Sequence, residues 1–308
     1  MGDAEAATEQ VLLARLADGD FLACYLTSDF MALSYQKKLI ETVIDAHKTG
    51  KSLADDPTFA EAATPKKSPA VATVYAHLEG MMGWTEFDMK LRDDFIYFTG
   101  VCHETDTCFT FMNVLRQQES VEGFPGEALP STVFYFTKQG VTDWASLLSY
   151  GDMQETGVRT SDVRNRNREL SHYLMENAGQ ELVACLFQRE DTLQEAAAVL
   201  SLSVSDVTEA ERMLRSLINT VSAEERGKTP LITFCYTANK AYPVYRLPQT
   251  TLFTQLTGFA EPTSHTYATF YEGRLLLAPD ENSLSRYIRQ LDKGEVLNGA
   301  IAYRTGMD

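Results

Sequence analysis

The chain reads as an α+β protein, with repeated strand-turn-strand-helix units forming mostly antiparallel sheets and helices packed on one face. Two observations predict this. Residues 88–118 (DMKLRDDFIYFTG, then CFTFMNVLRQQ) and 268–290 (ATFYEGRLLLAPDENSLSRYIRQ) are variants of one unit. Each runs as strand, tight turn at Arg92-Asp93-Asp94 or Glu272-Gly273, second strand, short polar loop, and a helix with apolar residues at helical spacing. Strands also outnumber the linkers long enough for parallel crossovers, which favours antiparallel pairing.

In chain order, residues 21–26 are strand-like, and Asp29 is placed to cap a helix reaching about Lys48 with Ile40, Val43, Ile44 and His47 on one face. Residues 52–69, where Asp, Pro, Lys and Ala cluster, read as a surface loop within a domain. Residues 132–137 are a strand followed by a helix over 141–150. Residues 181–188 form another strand, after which Asp191 is an N-cap and Leu193, Ala196, Ala197 and Leu200 a buried helical stripe. A longer helix carries Val207, Ala210, Leu214, Leu217, Ile218 and Val221. Residues 231–237 and 242–247 form a hairpin around Ala238-Asn239, followed by a short helix over 250–256 and the closing unit from Tyr267.

The polar stretch 151–168 separates two α+β halves of similar size, 1–160 and 161–308, although one continuous domain accommodates the same pattern. The 308 residues, 44% of them hydrophobic, suffice for a substantial core. A net charge of −16 repels phosphate backbones and anionic membranes, so nucleic acid is not a favoured partner. Residues 1–18 lack a charged segment followed by an apolar one, and the strand-like 300–304 runs into an uncapped 305–308. Both ends suit a fragment of a longer protein.

Four constellations invite a chemical reading. Cys102-His103-Glu104, with Asp106 and Cys108, brings metal-ligand types together. Their spacing fits no zinc pattern, however, and a solvated loop carries the same residues. Cys102 and Cys108 are placed for a local disulfide if the compartment is oxidising. The histidines His47, His77, His103, His172 and His265 are dispersed and have no nucleophile motif around them. Arg159, Arg164, Arg166 and Arg168 suit an anion contact, or a solvated linker paired with Asp162 and Glu169.

Residues 193–217 resemble the helix-turn-helix of sigma-factor-type DNA-binding domains, with Ala196 and Ala197 in the first helix and Val207 in the second. The second helix opens with Asp206, Glu209 and Glu211, the wrong charge for DNA, and Ser201 stands where a turn glycine is common.

FIYFTG with FMNVLRQQ, ALPSTVFYFTKQGVTDWASLL, ENAGQELVACLF and YATFYEGRLLLAPDENSLSRYIRQLDKGEVL resemble an uncharacterised extracytoplasmic, lipoprotein-type family of Bacteroides-type bacteria. The resemblance spans most of residues 87–303. It implies an exported, longer protein held at the periplasm or cell surface by a lipid anchor absent from this chain. It supplies no catalytic, cofactor or metal residue. The leading expectation is a non-catalytic extracytoplasmic binding or scaffold module with a protein or glycan partner and no cofactor. A DNA-binding regulator using 193–217 and a hydrolase with a site assembled only in the fold are the alternatives.

Overall fold

The computed structural model describes residues 12–15, 21–64, 70–92, 95–104, 110–123, 125–154, 161–189, 192–219, 230–238, 240–248, 250–257 and 266–299. Its recurring unit is an antiparallel hairpin followed by a helix. Strands β2 (Phe21–Leu26) and β3 (Met31–Ser34) lead to α1 (Lys37–Thr49), and β1 (Leu12–Arg15) pairs with β2. Helix α2 (Pro57–Ala62) precedes β4 (Ala72–Leu78), β5 (Met82–Arg92) and β6 (Phe95–His103), which lead to α3 (Phe111–Arg116).

Strand β7 (Val133–Gly140) is followed by α4 (Trp144–Gln154) and α5 (Ser161–Asn177). Three more hairpin-helix units complete the chain. They are β8 (Ala178–Arg189) and β9 (Thr192–Val204) with α6 (Val207–Asn219); β10 (Ile232–Tyr236) and β11 (Ala241–Arg246) with α7 (Leu252–Thr257); and β12 (Tyr267–Tyr271) and β13 (Arg274–Ala278) with α8 (Glu281–Asp292).

The principal sheet has seven strands in the order β10-β11-β12-β13-β9-β8-β7, every pairing antiparallel. It takes β7 from the N-terminal side of residue 160 and the other six strands from the C-terminal side. The chain is therefore α+β with antiparallel sheets, as its sequence predicts. The expectation of helices on one face needs correcting, because the sheet is covered on both. Leu182, Ala184, Leu200, Leu202, Leu275 and Leu277 face α4, α5, α6 and α7 through Leu148, Leu174, Leu214 and Phe253. Val183, Cys185, Phe187, Val199 and Leu276 face α8 through Leu284, Tyr287 and Ile288.

The largest correction concerns residues 193–204. The expected helix with its Ala196, Ala197 and Leu200 stripe is strand β9, bonded to β8 on one edge and β13 on the other. Ala198, Leu200 and Leu202 enter one core, while Ala197 and Val199 enter the other. A strand buried on both faces is apolar throughout, and periodicity cannot separate such a run from a buried helix. The helix preference of three alanines, a few tenths of a kcal/mol each, yields to two edges of sheet hydrogen bonds and two buried faces. Because the first element of the helix-turn-helix is this strand, the DNA-binding motif over 193–217 is absent; α6 instead packs Ala210, Leu214 and Ile218 against the sheet.

Other differences are local. Asp29 caps no helix: its backbone N–H donates to Thr27 Oγ1 in the β2–β3 turn, and α1 starts after Gln36 with no side-chain cap. Residues 52–62 are helical turns, with a capping box between Ser52 and Asp55 and Asp56 capping α2 just before Pro57. The polar stretch 151–168 is occupied largely by the ends of α4 and α5. The β12–β13 turn is as expected, with Glu272 (φ 43°) and Gly273 (φ 79°) both left-handed, as a two-residue hairpin turn requires. Asp191, Val221, Asn239, residues 93–94 and residues 300–308 lie outside the described residues.

Leu200 is fully buried in the internal strand β9. Urea unfolding of Leu200→Ala is expected to show a loss of about 2–5 kcal/mol, against less than about 0.5 kcal/mol for the exposed Leu39→Ala. Equal losses would place residue 200 outside the core.

Candidate interaction face and neighbouring clusters

The three-stranded sheet β4-β5-β6 differs from the principal one. Directly opposed residues of antiparallel strands point to the same side, so the register assigns both faces. One side carries Ala72, Val74 and Ala76 from β4, Thr85, Phe87, Met89 and Leu91 from β5, and Ile96, Phe98, Gly100 and Cys102 from β6. These residues are uncharged, although the Glu104 carboxylate reaches this side next to Cys102. The other side carries Thr73, Tyr75, Trp84, Glu86, Asp88, Lys90, Tyr97, Thr99, Val101 and His103.

Helix α2 covers the polar side. Phe59 meets Trp84 edge-on at 4.7 Å and Tyr75 at 5.7 Å. Trp84 Nε1 donates to Asp56 Oδ2 at 3.2 Å, and Thr73 Oγ1 donates to Asp88 Oδ1 at 2.9 Å. Glu86 and Asp88 are consequently only 3% and 9% exposed. Across the sheet Val74 is 46%, Leu91 55%, Phe98 56% and Ile96 63% exposed while Thr85 is buried, and on the α2 side Tyr75, Tyr97 and Val101, beyond the helix, are exposed as well. Burying acids while leaving four large apolar side chains in water inverts the usual arrangement.

The sheet β1-β2-β3 repeats this on a smaller scale. Helix α1 packs Ile40 and Ile44 onto Ala23 and Tyr25, whose hydroxyl lies 2.8 Å from His47 Nδ1. Leu26, Met31 and Leu33 on the opposite side are exposed.

Strand alternation also separates the Cys102-His103-Glu104 constellation. Cys102 opposes Thr85 and His103 opposes Trp84, so thiol and imidazole sit on opposite sides of the sheet. The Cys102 thiol donates to Glu104 Oε1 at 3.2 Å, and this carboxylate also accepts from Gly83 N at 2.7 Å and Thr110 Oγ1 at 2.9 Å. Burial pushes the Cys102 thiol up, which disfavours the thiolate a nucleophile or metal ligand would need. His103 Nδ1 lies 3.7 Å from Glu61. No group of three His, Cys, Asp or Glu side chains able to hold a metal occurs among the described residues. Cys108 and Asp106 lie outside them.

Of the other histidines, His77 stacks on Trp84 at 5.4 Å and His172 pairs with Glu176 at 3.3 Å on α5, while His265 lies outside the described residues. The arginines are divided too. Arg164 and Arg168 stand four apart on α5, whereas Arg166 is rotated by roughly 200° from Arg164, so three side chains do not meet on one face. Arg159 is not among the described residues.

A cavity of about 300 Å³ opens beside α8, lined by Glu127, Tyr271, Glu272, Arg274, Tyr287 and Leu291. Arg274, Tyr271 and Tyr287 are engaged within the protein. Arg274 donates to Glu181 Oε1 at 2.6 Å and to Ser201 Oγ at 2.5 Å. The Tyr271 hydroxyl donates to Asp292 at 3.0 Å, and that of Tyr287 to the Ala128 carbonyl. Burial raises both phenols, so they act as neutral donors rather than bases.

Sequence reasoning passed over both the cavity network and the apolar face. The face was nonetheless written in β5, where Trp84, Glu86, Asp88 and Lys90 alternate with Thr85, Phe87, Met89 and Leu91. The Arg274–Glu181 contact joins residues 93 positions apart and carries no local signal. Comparison with family models, characterised proteins and solved structures finds no match to this chain.

Hydrogen bonds from Thr58 and the Phe59 backbone hold the Asp56 carboxyl down at about 2. A depressed acid stabilises above its unfolded value and loses that stabilisation as pH falls through the folded one, so the α2 cap should be complete above pH ~4 and lost towards pH ~2. In a Trp144→Phe background, Trp84 emission should change with a midpoint near pH 2, and Asp56→Ala should abolish that step. An unchanged titration in Asp56→Ala would refute the assignment.

Proposed function

We propose that this chain is a non-catalytic extracytoplasmic interaction module whose docking surface is the Val74, Leu91, Ile96 and Phe98 face of the β4-β5-β6 sheet. The carrying observation is that Glu86 and Asp88 are buried beside α2 while Val74, Leu91, Ile96 and Phe98 across the sheet are exposed. A patch of exposed aliphatic and aromatic side chains suits a protein partner better than a glycan, whose hydroxyls need matching donors and acceptors. The acidic balance of −16 disfavours nucleic acid. No described helix is long and apolar enough to cross a membrane. The extracytoplasmic placement rests on the resemblance of residues 87–303 to exported lipoprotein-type proteins.

The non-catalytic part of the reading is supported by the separation of Cys102 from His103 and by the internal pairing of Arg274 and Tyr271 at the cavity. A catalytic cleft would leave titratable groups converging on free space.

Bis-ANS, which fluoresces on apolar surface, tests whether the face is open. At submicromolar protein the wild type should bind the dye, and the double variant Ile96→Lys/Phe98→Glu should lower the signal by roughly threefold with Tm unchanged, as expected for loss of an exposed patch. Identical signals from the two proteins would show that the face is not the dye-accessible surface and would remove the basis of the proposal.

A further inference from the structure

We infer that strand β10, an open edge of the seven-stranded sheet, takes up an extended segment of a partner protein as an eighth strand. This docking site is separate from the β4-β5-β6 face and does not depend on it.

The strand order leaves two edges, β7 and β10. Exposed edges invite pairing, and proteins blunt them with charged residues, proline or bulges. Strand β7 carries Lys138 and a break in register between Val133 and Tyr135. Strand β10, with the sequence ITFCY, has no such device and pairs with β11 in unbroken register from Ile232↔Tyr245 to Tyr236↔Ala241.

The direction of each backbone group along β10 follows from its two ends. Arg246 N donates to the Leu231 carbonyl at 2.8 Å, and Thr237 N to the Lys240 carbonyl at 2.9 Å. Hydrogen-bonded pairs alternate along an antiparallel ladder, so Thr233 and Cys235 turn their N–H and C=O groups towards β11 while Ile232, Phe234 and Tyr236 turn theirs outward. Arg289 Nε reaches the Tyr236 carbonyl at 3.4 Å. The outward groups of Ile232 and Phe234 meet no partner among the described residues.

An apolar face accepts any apolar surface, whereas a row of alternating donors and acceptors is matched by another backbone in extended form. Side chains beside the edge add selectivity. Phe234 and Tyr236 stand on one side of the sheet, more than half exposed, with ring centroids 6.2 Å apart. Aromatic or β-branched residues at alternate positions of the incoming strand pair with them. From the α8 side, the exposed Arg289 has no carboxylate partner among the described residues and suits an acidic residue at an intervening position.

Panning a phage-displayed library of random dodecapeptides against the full chain tests this. Enriched peptides should alternate apolar residues with an acid between them, and a selected peptide should slow hydrogen exchange at the Phe234 amide. Phe234→Pro deletes the outward N–H without touching the β11 ladder, so it should weaken that peptide roughly tenfold more than Phe234→Ala, which keeps the N–H. N-methylated peptides serve if the proline variant fails to fold: methylating one alternate set of amides should abolish binding and methylating the other should leave it intact. Failure to enrich any peptide would overturn the inference, as would binding insensitive to both Phe234→Pro and N-methylation. Self-association of the chain that is lost in Phe234→Pro would overturn it too, by making the added strand a second copy.

Discussion

A sheet has two faces and a hairpin brings only one helix, so every hairpin-helix unit leaves one face to be covered by something else. That constraint governs this molecule. In the seven-stranded sheet it is met internally: α4, α5, α6 and α7 take one side and α8 the other. The strand where this double cover is most evident is β9, which sends Leu200 and Leu202 one way and Ala197 and Val199 the other. Its position between β13 and β8 also joins the closing hairpin to the strands that begin at β7. In the two three-stranded sheets α1 or α2 packs on one side, and among the described residues apolar side chains on the other remain exposed.

Much of this was legible in the residues. The hairpin-helix rhythm, the Glu272-Gly273 turn and the stripes of α1, α6 and α8 are local patterns, fixed by spacing and turn chemistry. The failures share a cause. Residues 192–204 satisfy both a buried strand and an amphipathic helix, and only their neighbours β8 and β13, distant in sequence, decide between them. Asp29 is a good capping residue that a turn claimed first, through Thr27.

The candidate site shows the same division. Alternation along β5 announces a sheet with one apolar and one charged side, but which side receives a helix depends on α2, tens of residues upstream in a segment that reads as a loop. The cluster of Cys102, His103 and Glu104 looked like chemistry because its members are neighbours in sequence. In a strand, neighbours point apart, and adjacency becomes evidence against cooperation. The cavity network of Arg274, Glu181 and Ser201 is assembled from three strands and fastens β8, β9 and β13 together, a structural role for groups that resemble a catalytic set.

The central claim is that Val74, Leu91, Ile96 and Phe98 on one face of the β4-β5-β6 sheet are left exposed by the fold of a single chain. Hydroxyl-radical footprinting followed by mass spectrometry reads this directly. Phe98 and Ile96 should be labelled readily in dilute protein, as should Phe134 and Tyr236, which are exposed elsewhere. Complete protection of Phe98 and Ile96 in dilute protein, with Phe134 and Tyr236 labelled, would mean that the chain covers the face itself, and would contradict the account.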